Sequence, residues 1–284
     1  MNMPGQLRAL LQQKKMLVVP GAFECIGART IEQAGFSAVY MTGAGTSATL
    51  GYPDYGLVTM SEMAENAGRL ANVLKVPLIA DADTGYGNEL NMIRTVREYE
   101  KRGVSAIHIE DQGFPKRCGH LDDKEIIPLD DYLAKIRAAV AAKSNPDFMI
   151  IARTDSRAVL GFEEAIKRAN AALDVGADMA FVEAPQTLEE VAEVPKLVRG
   201  PCLLNVVYKG KTPDLPLADA EKYGYRIAIL PGLLMKAMLS ACDQTLATLK
   251  ETNRYPATNG DQGPRAGFAR VGANEWEPFR KQFR

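Results

Sequence analysis

The sequence predicts a (β/α)8 barrel with extra C-terminal helices. Three observations carry this expectation. Eight short apolar runs recur along the chain, at residues 16–20, 38–42, 77–81, 106–110, 148–153, 179–183, 202–206 and 227–230. Nearly continuous apolar character suits strands buried on both faces of a parallel sheet. Helical patterns separate the runs, at residues 61–74, 90–102, 130–143, 162–175, 188–198 and 217–223. Such alternation places helices outside a sheet of parallel strands. The length of 284 residues suits one such barrel, which commonly takes about 250.

The helical patterns start and stop on recognisable signals. Ser61 and Asp130 read as N-caps, and Gly35, Gly103, Gly176 and Gly224 read as stops. An open doubly wound sheet is the alternative architecture. It wants a phosphate-binding glycine turn after the first strand, and Pro20-Gly21-Ala22-Phe23 does not fit one. After the eighth run come a helical stretch at residues 233–249, Pro/Gly-rich sequence at 255–267, then Trp276 and a basic end. This is too short for a second domain. The chain therefore reads as one barrel domain, 1–284, with a helical extension from about 233 to 284. The apolar face of that extension either packs on a neighbouring subunit or ends as an exposed terminus.

The composition is that of an ordinary soluble protein, with 46% hydrophobic and 24% charged residues. A formal net charge of -1 gives no field directed at nucleic acid or membrane. The four cysteines Cys25, Cys118, Cys202 and Cys242 are scattered and suggest no disulfide framework. Reduced thiols fit a cytoplasmic protein. The N-terminal residues lack a signal-peptide core, and no run approaches the ~18 apolar residues of a membrane span.

In such a barrel the active site lies at the C-terminal ends of the strands. Those ends are polar here. They carry Tyr40 and Thr42-Gly43-Ala44-Gly45, then Asp81-Ala82-Asp83-Thr84-Gly85, then His108, Glu110 and Asp111. Arg153-Thr154-Asp155, Glu183 and Asn205 follow. Asp81 and Asp83 are two apart, so on an extended strand both carboxylates face one way. With Glu110 and Asp54 they form an oxygen-only cluster, which favours Mg2+ or Mn2+ over zinc. The alternative is that these acids pair with Arg153, Lys116 and Arg117. Zinc through Cys118 and His120 lacks two further ligands. Thr42, Gly43 and Ala44 read as a small-residue turn whose N–H groups hold a carboxylate or phosphate. His108 reads as a structural core histidine, Gly113 as a turn, and Cys25, Cys202 and Cys242 as buried packing residues.

Lys116-Arg117-Cys118-Gly119-His120-Leu121 crowds a thiol with cations between Gly113, Pro115 and Gly119. Cationic neighbours favour the thiolate. A glycine-rich loop can close over a pocket and exclude water. The segment reads as a mobile loop that delivers a thiol.

Together these residues resemble the isocitrate lyase/phosphoenolpyruvate mutase superfamily, and the Cys118 loop is similar to the signature of its lyase branch. The resemblance covers residues 18–230. It includes Gly51-Tyr52-Pro53-Asp54, Asp81 to Gly87, His108-Ile109-Glu110-Asp111-Gln112 and Ile151 to Asp155. It implies metal-dependent retro-aldol cleavage of a substituted 2-hydroxy di- or tricarboxylate, of the 2,3-dimethylmalate or 2-methylisocitrate type. The alternatives on the same site are oxaloacetate hydrolysis or decarboxylation. Mutase-type phosphorus–carbon chemistry is disfavoured by the cysteine loop.

The resemblance further implies that Asp81 is the direct metal ligand, with Asp83, Asp54 and Glu110 acting directly or through water. Thr42, Gly43 and Ala44 hold the α-carboxylate, and Arg153 pairs with oxygens near the breaking bond. Gly119, His120, Glu183 and Asn205 bind substrate. Cys118 is the acid. The base is Cys118 as thiolate, Tyr40, or a metal-bound hydroxide. Lys236 stands where methylisocitrate lyases carry an arginine for a distal carboxylate, which points to a smaller substituted malate. A homotetramer is implied, with residues 233–249 or the segment around Trp276 making the contact.

Overall fold

The computed structural model describes residues 2–257, 260 and 263–283. Eight parallel strands close on one another in chain order: β1 (Leu17–Ala22), β2 (Val39–Met41), β3 (Leu78–Asp81), β4 (Ala106–Glu110), β5 (Met149–Thr154), β6 (Met179–Val182), β7 (Cys202–Asn205) and β8 (Ile227–Leu230). Closure is made by β1 against β8, with Leu17 opposite Ile227 and Pro20 opposite Leu230. The expected barrel is present, with strand boundaries within two residues of expectation.

The helices are α1 (Met3–Gln12), α2 (Cys25–Gln33), α3 (Gly43–Thr49), α4 (Met60–Val73), α5 (Glu89–Lys101), α6 (Leu129–Ala142) and α7 (Arg157–Leu160). They continue as α8 (Phe162–Asp174), α9 (Leu188–Leu197), α10 (Leu217–Tyr223), α11 (Leu233–Thr252), α12 (Pro264–Arg270) and α13 (Ala273–Gln282). The glycine stops stand where expected, with positive φ at Gly35, Gly103, Gly176 and Gly224. Two caps differ. α4 is capped by Thr59, not Ser61, through a box in which Glu62 reaches back to the Thr59 N–H. α6 starts after Pro128 with no side-chain cap, and Asp130 and Asp131 lie inside its first turn, favourable to the helix dipole.

Strand alternation divides the core. Val19, Tyr40, Ile79, Ala106, Ile151, Phe181, Leu203 and Ile229 fill the barrel interior. Ile107, Ile109, Ile150, Leu204 and Ala228 point outward into the layer under the helices. α1 closes the N-terminal end of the barrel. Its Leu7 is buried in the interior cluster. Arg8 beside it bonds the Asp147 carbonyl at 2.9 Å and the Asp178 carboxylate at 2.7 Å.

α11 is different in kind. None of its 20 residues is buried, and Leu233, Met238, Leu239, Leu246 and Leu249 are exposed. α12 and α13 turn back towards the chain's own α2 and the residues that follow α4. Gln33 bonds the Arg270 carbonyl, and Glu275 faces Lys75 at 3.1 Å and Arg29 at 3.9 Å. Cys202 is buried as expected, Cys25 is half-buried, and Cys242 on α11 is exposed rather than packed. No described helix is long and apolar enough to cross a membrane.

Candidate active site at the barrel mouth

The two-residue period that sends Ile107 and Ile109 outward sends Ala106, His108 and Glu110 inward. The same period places Tyr40, Asp81, Arg153, Glu183 and Asn205 together at the C-terminal mouth. Register makes Glu110 and Arg153 direct neighbours on β4 and β5, and the two charges stand 3.3 Å apart.

Arg153 is the hub. Its Nε and one terminal nitrogen grip Asp155 at 2.8 and 3.1 Å, and Glu183 lies 3.9 Å away. Asn205 donates to both Glu183 oxygens at 3.1 and 3.2 Å. Burial pushes the Glu183 carboxyl up, but Arg153 and then His120 outweigh it and hold it well below the usual range. His120 Nδ1 accepts the Lys211 N–H at 2.9 Å, so Nε2 carries the proton and donates to Glu183 at 3.1 Å.

The carboxylates are not free. Lys116 lies between Asp54 at 2.5 Å and Asp83 at 2.8 Å. Arg117 instead points outward to Asp123 at 3.6 Å. The strand ends at Asp81, and Asp83 has φ 46, so the two carboxylates meet through a turn rather than along an extended strand. The Asp83 N–H donates to Asp81 Oδ1 at 2.9 Å. Among the described residues no three His, Cys, Asp or Glu side chains are placed to hold a metal unaided.

A divalent cation still fits. Both Glu110 oxygens and Asp83 Oδ1 are buried without a hydrogen bond, although each residue has one cationic neighbour. Burial raises the carboxyls of Asp81, Asp83 and Glu110 despite Lys116 and Arg153 nearby. The mouth is therefore over-supplied with buried acid. Mg2+ typically takes one or two carboxylates and completes its shell with water and substrate oxygens.

The Cys118 segment is a lid on this cluster. Its stem is pinned where Gln112 bridges Ile126 and where the Gln112 side chain brackets Arg117, accepting from its N–H at 3.0 Å and donating to its carbonyl at 2.9 Å. Gly119 lies so close to the floor that an added Cβ would come within 2.5 Å of both Arg153 and Glu183.

The thiol itself is a correction. Burial first, and then Asp54, push Cys118 up to about 11. The cationic neighbours expected to favour thiolate are spent, Lys116 on two carboxylates and Arg117 outside. The surroundings of Cys118 thus favour the neutral thiol over the thiolate.

Two other expectations change. Tyr40 is buried, with its hydroxyl 2.7 Å from His108 Nε2 and 3.5 Å from Asp81. Burial, and next Asp81, push the phenol well above its usual value, which favours the protonated hydroxyl. Thr42-Gly43-Ala44 is the start of α3 rather than a free turn. Thr42 caps the helix, and the Gly43 N–H already donates to Asp81 at 3.2 Å. His108 is the buried histidine expected, held neutral because burial, then Arg153, lower it to about 3.

Asp155 is named by the sequence only as a strand-end acid without a role, and here it holds Arg153; Lys124, whose ammonium lies 3.5 Å from Asp155, carries no signal in the sequence. A cavity of about 480 Å3 opens beside this cluster, lined by Val206, Tyr208, Leu230, Leu233 and Lys236 among others, with none of the clustered carboxylates in its lining. Lys236 donates to the Tyr208 carbonyl at 2.5 Å and makes no contact with the carboxylate cluster.

A family model described as phosphoenolpyruvate phosphomutase matches residues 7–250. The chain belongs to this family, part of the isocitrate lyase/phosphoenolpyruvate mutase superfamily. A 2,3-dimethylmalate lyase of Eubacterium barkeri is 49% identical over 81% of this chain and 80% of that one. A 2-methylisocitrate lyase of Aeropyrum pernix is 42% identical over 86% and 79%. Among solved structures, oxaloacetate acetylhydrolase bound to 3,3-difluorooxalacetate superposes with a TM-score of 0.96 at 38% identity, covering 99% of this chain and 97% of that one. The two lyase relatives place the chain with the superfamily's carbon–carbon lyases.

Proposed function

We propose that this protein is a Mg2+-dependent lyase that splits a substituted 2-hydroxy dicarboxylate of the 2,3-dimethylmalate type into a 2-keto acid and a carboxylic acid. The observation that carries the reading is the packing of the Cys118 loop onto the cluster, with Gly119 so close that a Cβ there would meet Arg153 and Glu183 at 2.5 Å.

Asp81 would hold the cation, with Asp83, Glu110 and Asp54 acting directly or through water. Bound there, Mg2+ or Mn2+ supplies positive charge that acidifies the substrate hydroxyl and stabilises oxyanion character. Thr42 and the Ala44 N–H face the α-carboxylate, while Gly43 orients Asp81. Arg153, fixed by Asp155, meets the negative charge that grows as C2–C3 breaks. A donor already oriented needs no rearrangement during reaction. The substrate hydroxyl gives its proton to a buried carboxylate at the mouth, where burial raises proton affinity; Cys118 gives its own proton to the departing carbon and is reprotonated after product leaves, and Gly119 and His120 keep water out. Glu183 and Asn205 line the far wall. Lys236, where an arginine would pair a distal carboxylate, is engaged at the Tyr208 carbonyl, which favours a dicarboxylate over 2-methylisocitrate.

Cys118→Ser tests this reading. Substrate affinity should stay within a few-fold while kcat falls by about 10²–10⁴, the usual worth of a positioned proton donor. Unchanged turnover would end the thiol proposal. A second reading is oxaloacetate hydrolysis, favoured by the close superposition on oxaloacetate acetylhydrolase; oxalate plus acetate would mark it, and pyruvate plus CO2 would mark decarboxylation. The exposed apolar side chains of α11 support a homo-oligomer, a tetramer by resemblance.

A further inference from the structure

Residues 121–125 form the outer limb of the cysteine loop. Leu121, Asp122, Asp123 and Glu125 are exposed. Lys124 in their midst has a side chain only 1% exposed. An ammonium gives up its hydration only where partners compensate, and one left unpaired inside a protein is strongly destabilising. Two partners are present. The Lys124 ammonium donates to the Gly119 carbonyl, and it lies 3.5 Å from Asp155 Oδ1. Gly119 follows the reactive thiol directly. Asp155 is the carboxylate whose two oxygens hold Arg153 at 2.8 and 3.1 Å.

We propose that Lys124 is the latch of the Cys118 loop, a positioning residue that joins Gly119 to Asp155 so that loop closure and the orientation of Arg153 are one event. When the loop lifts, Lys124 leaves both partners, the thiol moves away from the floor, and Asp155 loses a cation that shares its charge with Arg153. Contact between Asp122 and Lys211 at 2.5 Å ties the same limb from outside, but the Asp122 side chain is 86% exposed, and exposed pairs hold little. The proposal rests on the lyase reading for its catalytic consequence and on geometry alone for the latch.

The test compares Lys124→Met, Lys124→Arg and Asp122→Ala with the unmodified full-length protein. Its first readout needs no substrate: iodoacetamide labelling of Cys118 in the folded enzyme at fixed pH, followed by peptide mass. Labelling tracks how often the loop opens, so Lys124→Met should label about tenfold faster or more, Lys124→Arg several-fold faster, and Asp122→Ala at the unmodified rate. The second readout is the split of kinetic constants on 2,3-dimethylmalate with Mg2+. Lys124→Met should lose about tenfold or more in kcat with KM nearly unchanged, and Lys124→Arg should recover part of it. Unchanged Cys118 labelling in Lys124→Met overturns the latch, even if the melting temperature falls, because that is what a merely structural lysine would give. Should Lys124→Met not fold, the Lys124→Arg labelling rate decides in the same way. If labelling accelerates as expected while the unmodified enzyme turns over no dimethylmalate, the latch stands and the lyase reading falls.

Discussion

At Cys118 a short segment of sequence pulls two ways, and packing decides. Lys116 and Arg117 beside a thiol read as thiolate-forming, but Lys116 is consumed by Asp54 and Asp83. What remains is burial, which favours the neutral thiol. With the thiol pushed up to about 11, roughly one molecule in ten thousand carries thiolate at neutral pH. Cys118 alkylation should therefore climb about tenfold per pH unit from neutrality towards pH 10, since the thiolate is the nucleophile and its fraction rises with pH below the pKa. A labelling rate already flat at pH 7 would contradict the protonated thiol. Gly119 is the second residue-scale test. A Cβ there would meet Arg153 and Glu183 at 2.5 Å, so Gly119→Ala should hold the lid off the floor. Activity should fall by about tenfold or more, while urea unfolding shifts little. The gathering of Arg153, Glu183 and Asp81 was legible because chemistry-bearing side chains stand at strand ends, and the Cys118 loop because cations and glycines crowd a thiol there. Their protonation states were not, because those depend on which cation finds which acid across the mouth.

At the scale of elements, strand alternation carries most of the site. A period of two, applied to eight apolar runs, brings Tyr40, Asp81, Glu110, Arg153, Glu183 and Asn205 to one opening, and the sequence contains that information. What alternation cannot reach is the chain between strands. Lys124 lies in an Asp-Asp-Lys-Glu run that reads as solvated, and only the fold of the lid buries it. α1 precedes the first strand and stands outside the repeat, yet its Leu7 plugs the barrel interior. Leu7→Ala should cost about 2–5 kcal/mol in urea unfolding, the usual range for a buried leucine cavity. A loss under about 0.5 kcal/mol, as for ordinary surface substitutions, would show that α1 is not part of the core. The displaced cap at α4 has a simple cause: Thr59 is followed three residues later by Glu62, which completes a reciprocal pair that Ser61 cannot form.

The whole molecule presents a closed barrel and a long helix that leaves it. The barrel was legible from repetition and length, and the extension was legible as helical. The partner of α11 was not, because an apolar face records that it must be covered without recording by what. If copies of this chain cover it, placing Asp at both Leu239 and Leu246 should convert the oligomer to monomer by sedimentation. An unchanged oligomer would place the contact elsewhere. At this scale too belongs the central claim, that the buried acid, Arg153 and the closed thiol lid together cleave a carbon–carbon bond. The most direct measurement is incubation of the purified protein with 2,3-dimethylmalate, with Mg2+ or with a chelator, and identification of products by mass. Pyruvate and propionate in equal amounts, formed with Mg2+ and absent with the chelator, is the predicted result. No cleavage of dimethylmalate, with oxaloacetate converted to oxalate and acetate under the same conditions, would contradict it.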